Sequence, residues 1–131
     1  MKKSYNYREI LGKTLGDAID YLNVDVHHIN HNHDDNREHN LLILPRKMHH
    51  KYHMTMNHAE GFCEEISKHD INYVSIGHID TIKRLVEIKA DMAQLYYQQC
   101  SVLLDDNINN RFNFAHMLVE LSKKYEYYGN I

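Results

Sequence analysis

The sequence predicts an α+β domain: a ββα unit of about thirty residues followed by a predominantly α-helical C-terminal extension. Three observations predict it. Two short strand-like runs flank a polar loop between residues 24 and 44, and a helical pattern comes directly after them. One proline and five glycines in 131 residues favour long regular segments over a turn-rich sandwich. Residues 79–99 carry the longest helical periodicity of the chain.

Residues 1–8 mix charge with tyrosine, show little periodicity and read as a frayed terminus. From Glu9 to Leu22, apolar residues recur at three and four, predicting a helix that covers the hydrophobic side of the ββα unit. Residues 24–29 alternate as a short strand, residues 30–39 have the composition of a turn or Ω-like loop, and Leu41 to Leu44 form a return strand. Pro45 ends the ladder and opens a helix from Arg46 to about Asn57. A second helix is expected over Ala59 to Lys68, then a connector over 72–77. In the helix over 79–99, Ile79, Ile82, Leu85, Val86, Met92, Ala93 and Tyr96 are expected on one apolar side. The polar turn Asp105 to Asn110 precedes a last helix from Phe112 to Tyr125, with Phe114 or Ala115, Leu118 and Leu121 inward. The expected division is a module at 1–57 with its N-terminal helical cover, and a helical extension at 58–131 that packs, dimerises or contacts DNA.

Hydrophobic residues at 43% can build a core. No run approaches eighteen apolar residues and no basic-then-apolar leader is present, so neither a membrane span nor a signal peptide is expected. Cys63 and Cys100 form no CxxC pair, so reduced, cytoplasmic conditions are expected rather than a disulfide or zinc-knuckle scaffold. The net charge of −3 argues mildly against nucleic acid, but it is unevenly placed. Residues 1–53 carry eight Lys/Arg against seven Asp/Glu, and 54–131 carry seven against eleven. Any DNA contact is therefore expected on the first segment.

Eight of the twelve histidines lie between Asp25 and His53. His49 and His53 stand four apart and share a helix face. Facing a strand that carries His27, they bring three imidazoles toward one divalent ion with a coordination position left open. His28 falls on the other side of its strand and is better placed as a general base, since an imidazole's ordinary pKa of about 6.5 suits deprotonation of water. Asp25 is expected either to orient a ligand or to be a solvated strand-edge carboxylate. Asn40 is expected to bond the backbone of the polar loop and so fix His28. Arg37, Arg46, Lys47 and Lys51 surround the unit as candidate phosphate contacts. His31, His33 and His39 are expected to face solvent from the loop, and His50 from the helix surface; His58, His69, His78 and His116 read as ordinary surface or packing residues. Tyr96 and Tyr125 fall on helical stripes as core, and Tyr52 is open between packing and DNA contact.

The residues HHIN, the Asn40-Leu41 step and His49-x3-His53 resemble the HNH endonuclease family of ββα-metal nucleases. The run NLLILPRKMHH is closest in texture to the small phage and homing endonucleases, and the histidines resemble a colicin-type three-histidine metal site. The resemblance covers about thirty residues. It implies His27, His49 and His53 as metal ligands, His28 as general base, Asn40 as the loop-constraining catalytic-motif residue, and hydrolysis of DNA to 5′-phosphate and 3′-hydroxyl ends. It further implies one divalent ion (Mg²⁺, or Mn²⁺, Ni²⁺ or Zn²⁺), double-stranded DNA as partner, and a bacterial or phage-infected cytoplasm. The CxxC zinc pairs frequent in the family are absent and the extension is acidic, so packing must hold the fold and the extension is expected to buttress the module or form a homodimer. The rival expectations are a catalytically silent DNA-binding protein that kept the module, and a histidine-rich metal-binding protein.

Overall fold

The structure, a computed structural model, describes residues 23–68 and 75–129. The terminus at 1–8, the helix expected over Glu9–Leu22, His69 and the first part of the expected connector lie outside the described residues. The order is β1 (Val24–His28), a 3₁₀ turn (Glu38–Asn40), β2 (Leu41–Pro45), α1 (Arg46–Ser67), α2 (Ile76–Leu104) and α3 (Ile108–Gly129). The class is α+β and mostly helical.

The two strands form an antiparallel pair with Val24 opposite Pro45, Val26 opposite Ile43 and His28 opposite Leu41. Every residue of β2 is buried, and α1, α2 and α3 all pack against it. A strand covered on both faces needs a continuous apolar run rather than alternation, which is what Leu41-Leu42-Ile43-Leu44 supplies. Its second edge is closed by a side chain. Gln99 of α2, fully buried, accepts from Ile43 N at 2.8 Å and donates from Nε2 to Leu41 O at 2.7 Å. The glutamine thus stands in for a third strand and satisfies two buried backbone groups.

Pro45 ends β2 and stands at the N-cap of α1. The helix then runs unbroken for 22 residues, where the sequence pattern predicts two shorter helices. Met48, Tyr52, Thr55 and Ala59 form one buried stripe through the expected break, so the expected division at 57/58 falls inside this helix.

Ser75 caps α2 in a reciprocal box: His78 N donates to Ser75 Oγ, and Ser75 N donates to His78 Nδ1 at 2.9 Å. The buried side of α2 is the expected one in part. Of the expected residues, Met92 is in the core and Leu85 and Tyr96 pack against it, whereas Ile79, Ile82, Val86 and Ala93 are exposed. Ile88, Leu95, Gln99 and Val102, outside the expected set, complete the buried side. On α3, Phe114, Leu118, Leu121 and Tyr125 are buried at spacings of four, three and four. Asp91 joins the two long helices, accepting from Lys124 Nζ at 2.7 Å and from the Tyr125 hydroxyl at 2.6 Å. No helix among the described residues is long and apolar enough to cross a membrane.

Candidate metal centre

β1 ends against the first turns of α1, and this meeting brings the expected histidines together. His27 Nδ1 lies 3.2 Å from His49 Nε2, and His53 Nε2 lies 3.1 Å from the same atom. One nitrogen from each ring falls within 4.8 Å of the others. Two nitrogens bound tetrahedrally at about 2.0–2.1 Å from one zinc-like ion stand roughly 3.3–3.4 Å apart, so the His27–His49 and His49–His53 pairs stand near the spacing that one ion requires. His27 is 3% exposed, His49 is half-buried and His53 is the most open to solvent.

The second atom of His49 explains its orientation. Its Nδ1 donates to Asp25 Oδ2 at 3.1 Å, which leaves the Nε2 lone pair facing His27 and His53. Arg46 Nε donates to the other oxygen of Asp25 at 2.8 Å. Burial acts to raise the Asp25 carboxyl, but the hydrogen bonds from Arg46 and His49 outweigh it and hold the group below the usual carboxylate range. His27 is pushed down to about 3, first by burial and then by the neighbouring imidazoles of His49, His53, His31 and His28. His53 is lowered by burial and by its histidine neighbours. Both rings therefore sit neutral at neutral pH, the form that ligates a metal.

His28 is 4% exposed and lines the same hollow of about 200 Å³ as the trio. Alternation along β1 predicts it on the far side, but β1 ends there and the loop wraps the strand end. His28 Nε2 donates to Asn36 Oδ1 at 2.8 Å, and its ring stacks on His33 with centroids 4.8 Å apart. His31, at a positive φ of 65°, approaches His27 at 5.5 Å between centroids and bonds the Tyr52 hydroxyl at 3.1 Å. His31 and His33 are exposed, as the loop composition predicts, and they also line the hollow. Tyr52 is buried beside His27 and His53, an internal support for the site.

Asn40 is buried and does not enter the hollow. Its Oδ1 accepts from Asn30 N at 3.0 Å, and its Nδ2 donates to Asp35 O at 2.8 Å and to Asn30 Oδ1 at 3.0 Å. These bonds pin both ends of the loop that carries His31, His33 and Asn36. Arg37 forms a two-bond pair with Asp35 and braces the same loop, holding the Asp35 carboxyl below its ordinary range. Lys47 faces Glu126 at 3.6 Å. Lys51 lines hollows with Arg84, away from the histidines, because two residues of helix turn it about 200° from His49 and His53. Of the four cations, Arg46 stands nearest the trio, through Asp25. His50 is exposed, as is His39, whose carbonyl accepts from the Tyr96 hydroxyl at 2.7 Å. No family model, curated protein or solved structure matches the chain.

Proposed function

We propose that the chain is a metal-dependent DNA endonuclease of the HNH, ββα-metal type. The observation that carries this reading is one hollow holding a three-imidazole trio and a separate, differently bonded His28, at the end of a strand whose loop is tied down by Asn40. A simple metal binder needs the trio; it has no use for the tether or for a fourth ring fixed by Asn36.

A divalent ion on His27, His49 and His53 would supply charge neutralisation at a non-bridging phosphate oxygen and at the departing 3′-oxygen. An all-imidazole donor set favours Ni²⁺ or Zn²⁺ over Mg²⁺ and Mn²⁺, which prefer oxygen ligands. With Asn36 accepting from Nε2, His28 carries its lone pair on Nδ1, the state a base requires. His28 takes a proton from water, the oxygen attacks phosphorus in line, the bond to O3′ breaks and the departing O3′ takes up a proton from solvent, leaving a 5′-phosphate and a 3′-hydroxyl. Arg46 and Asp25 hold His49 in register throughout.

Nicking of supercoiled plasmid with each metal in turn tests the reading. His28→Ala is expected to lose about 10²–10⁴-fold in rate while calorimetry shows its metal affinity kept. A variant that cuts at the parental rate removes the base assignment. One observation favours a second reading, metal storage: His31 and His33 bring six imidazoles to one hollow. Storage predicts several metal equivalents per chain and no cleavage, whereas the nuclease reading predicts one. DNA binding without cleavage by the wild type would mark a silent copy.

Double-strand cleavage calls for two such centres. A second copy of the chain is the partner proposed for the uncovered stripe of α2, where Ile79, Ile82 and Val86 are 45%, 41% and 62% exposed. Val86→Glu is expected to convert a dimer to a monomer in sedimentation velocity with under about 0.5 kcal/mol change in stability; a wild type that sediments as a monomer at high concentration ends this part of the proposal.

A further inference from the structure

Beside the histidine hollow lies a larger one, about 400 Å³, between β1, the loop end and α2. The two share His27, and the larger one also has Tyr52 in its wall. Leu42 and Met92 line it from the core, and Ala93 and Tyr96 from α2. The Tyr96 hydroxyl donates to His39 O at 2.7 Å, so the aromatic wall is held in place rather than left to rotate. No carboxylate is among the described residues that line it, and Lys89, exposed on α2, supplies its one ammonium.

That combination has a chemical reading. The hollow falls at the small end of the volumes that take organic ligands, roughly 300–1,000 Å³. Aromatic and thioether side chains suit a flat π-system, and a cation at the mouth suits a phosphate chain. An apolar cavity that abuts a phosphodiester site through a common wall is within reach of the base on the same nucleotide. A paired base cannot enter it, because its edge and both faces are already engaged in the duplex.

We propose that this hollow is a nucleobase subsite, taking one unpaired base of a nucleic-acid strand whose phosphate faces the histidines. The proposal rests on the reading of the histidine hollow as a phosphodiester site. It narrows the substrate to single-stranded or locally opened nucleic acid, with Tyr52 and Tyr96 as base contacts and Lys89 as a backbone contact.

The test compares two fluorescein-labelled hexanucleotides of equal charge, oligothymidylate and its fully abasic counterpart, binding to the full-length protein in EDTA so that no cleavage intervenes. Anisotropy is expected to give the base-bearing strand an advantage of at least about fivefold. Ala93→Trp fills the hollow and is expected to bring both strands to the abasic level while metal affinity is retained. Ala93→Leu, a smaller intrusion, serves the same purpose if circular dichroism shows the tryptophan variant misfolded. Lys89→Gln should weaken both strands alike. Equal wild-type affinity for the two strands overturns the proposal, and so does a base preference that survives in the folded Ala93 variants. Plasmid cleavage run in parallel separates the two readings. Base preference without cleavage leaves the subsite and removes the endonuclease; cleavage without base preference does the reverse.

Discussion

The two strands of the hairpin share a register and almost nothing else. β1 reads Val-Asp-Val-His-His and places His27 and His28 at a solvent-reaching hollow, with Asp25 bonded to the far nitrogen of His49; β2 reads Leu-Leu-Ile-Leu-Pro and is buried throughout. Among the described residues β1 is bonded to β2 and, at Val24 O, to the Arg46 guanidinium at the surface, whereas β2 is bonded to β1 on one side and to the buried Gln99 on the other. The chemistry and the fold are thus assigned to opposite strands. Substitutions on β1 should change what the protein binds, and those around β2 should change whether it folds.

The largest expected effect lies on the folding side. Gln99→Leu keeps the volume but leaves Ile43 N–H and Leu41 C=O buried without partners, at about 1–3 kcal/mol for each group. Urea unfolding should show a loss of roughly 2–6 kcal/mol, with metal stoichiometry unchanged in the folded fraction. A neutral result would mean that β2's outer edge is satisfied some other way.

Next comes the binding side. Asp25→Asn removes the carboxylate that sets the His49 tautomer, and metal affinity should fall about 10–100-fold. Thermal unfolding of the metal-free variant should move little, because Asp25 is partly solvent-exposed and its pairing with Arg46 lies at the surface. If calorimetry gives wild-type affinity, the carboxylate does not orient the ligand.

The smallest effect links the two strands through pH. His27 has a folded pKa of about 3, below its ordinary 6.5, so the unfolded chain takes up its proton first as pH falls. The stability due to keeping this ring neutral is whole above about pH 6.5 and is lost progressively toward the folded value. The slope for one proton is at most about 1.4 kcal/mol per pH unit. Metal-free protein should show a falling urea midpoint from pH 7 to pH 5, and His27→Gln should flatten that slope. A midpoint equally steep in both proteins would assign the effect to other groups.

Legibility in the sequence tracks the range of the interaction that decides each feature. The trio His27, His49 and His53 could be placed from local periodicity, because a strand and the helix after it are adjacent in chain and space. So could the bonds of Asn40 to the loop, all within ten residues. Gln99 could not: its partners lie 56 and 58 residues away, and a glutamine on a helix ordinarily signals solvent. The core side of α2 is legible in part, at Leu85, Met92 and Tyr96, but the sequence does not show that it extends through the line of Gln99, which packs on β2. The exposure of His31 and His33 is legible from the polar composition of their loop, but the curl that sets them along the hollow is not. Polar loop residues look alike in sequence whether they face water or curl back over a strand end, and only the tethers decide.

The Gln99 bridge has one more consequence, for anyone who trims the protein. A fragment ending at Ser67 would retain all six histidines of the hollow, yet it would bare the outer edge of Leu41–Pro45 with an open amide, an open carbonyl and a run of branched apolar side chains. Such an edge recruits another like itself. The excised module should accumulate as aggregate, not as a miniature metalloprotein: α2 and α3 contribute no histidine to the hollow, but they cover the strand on which it is built.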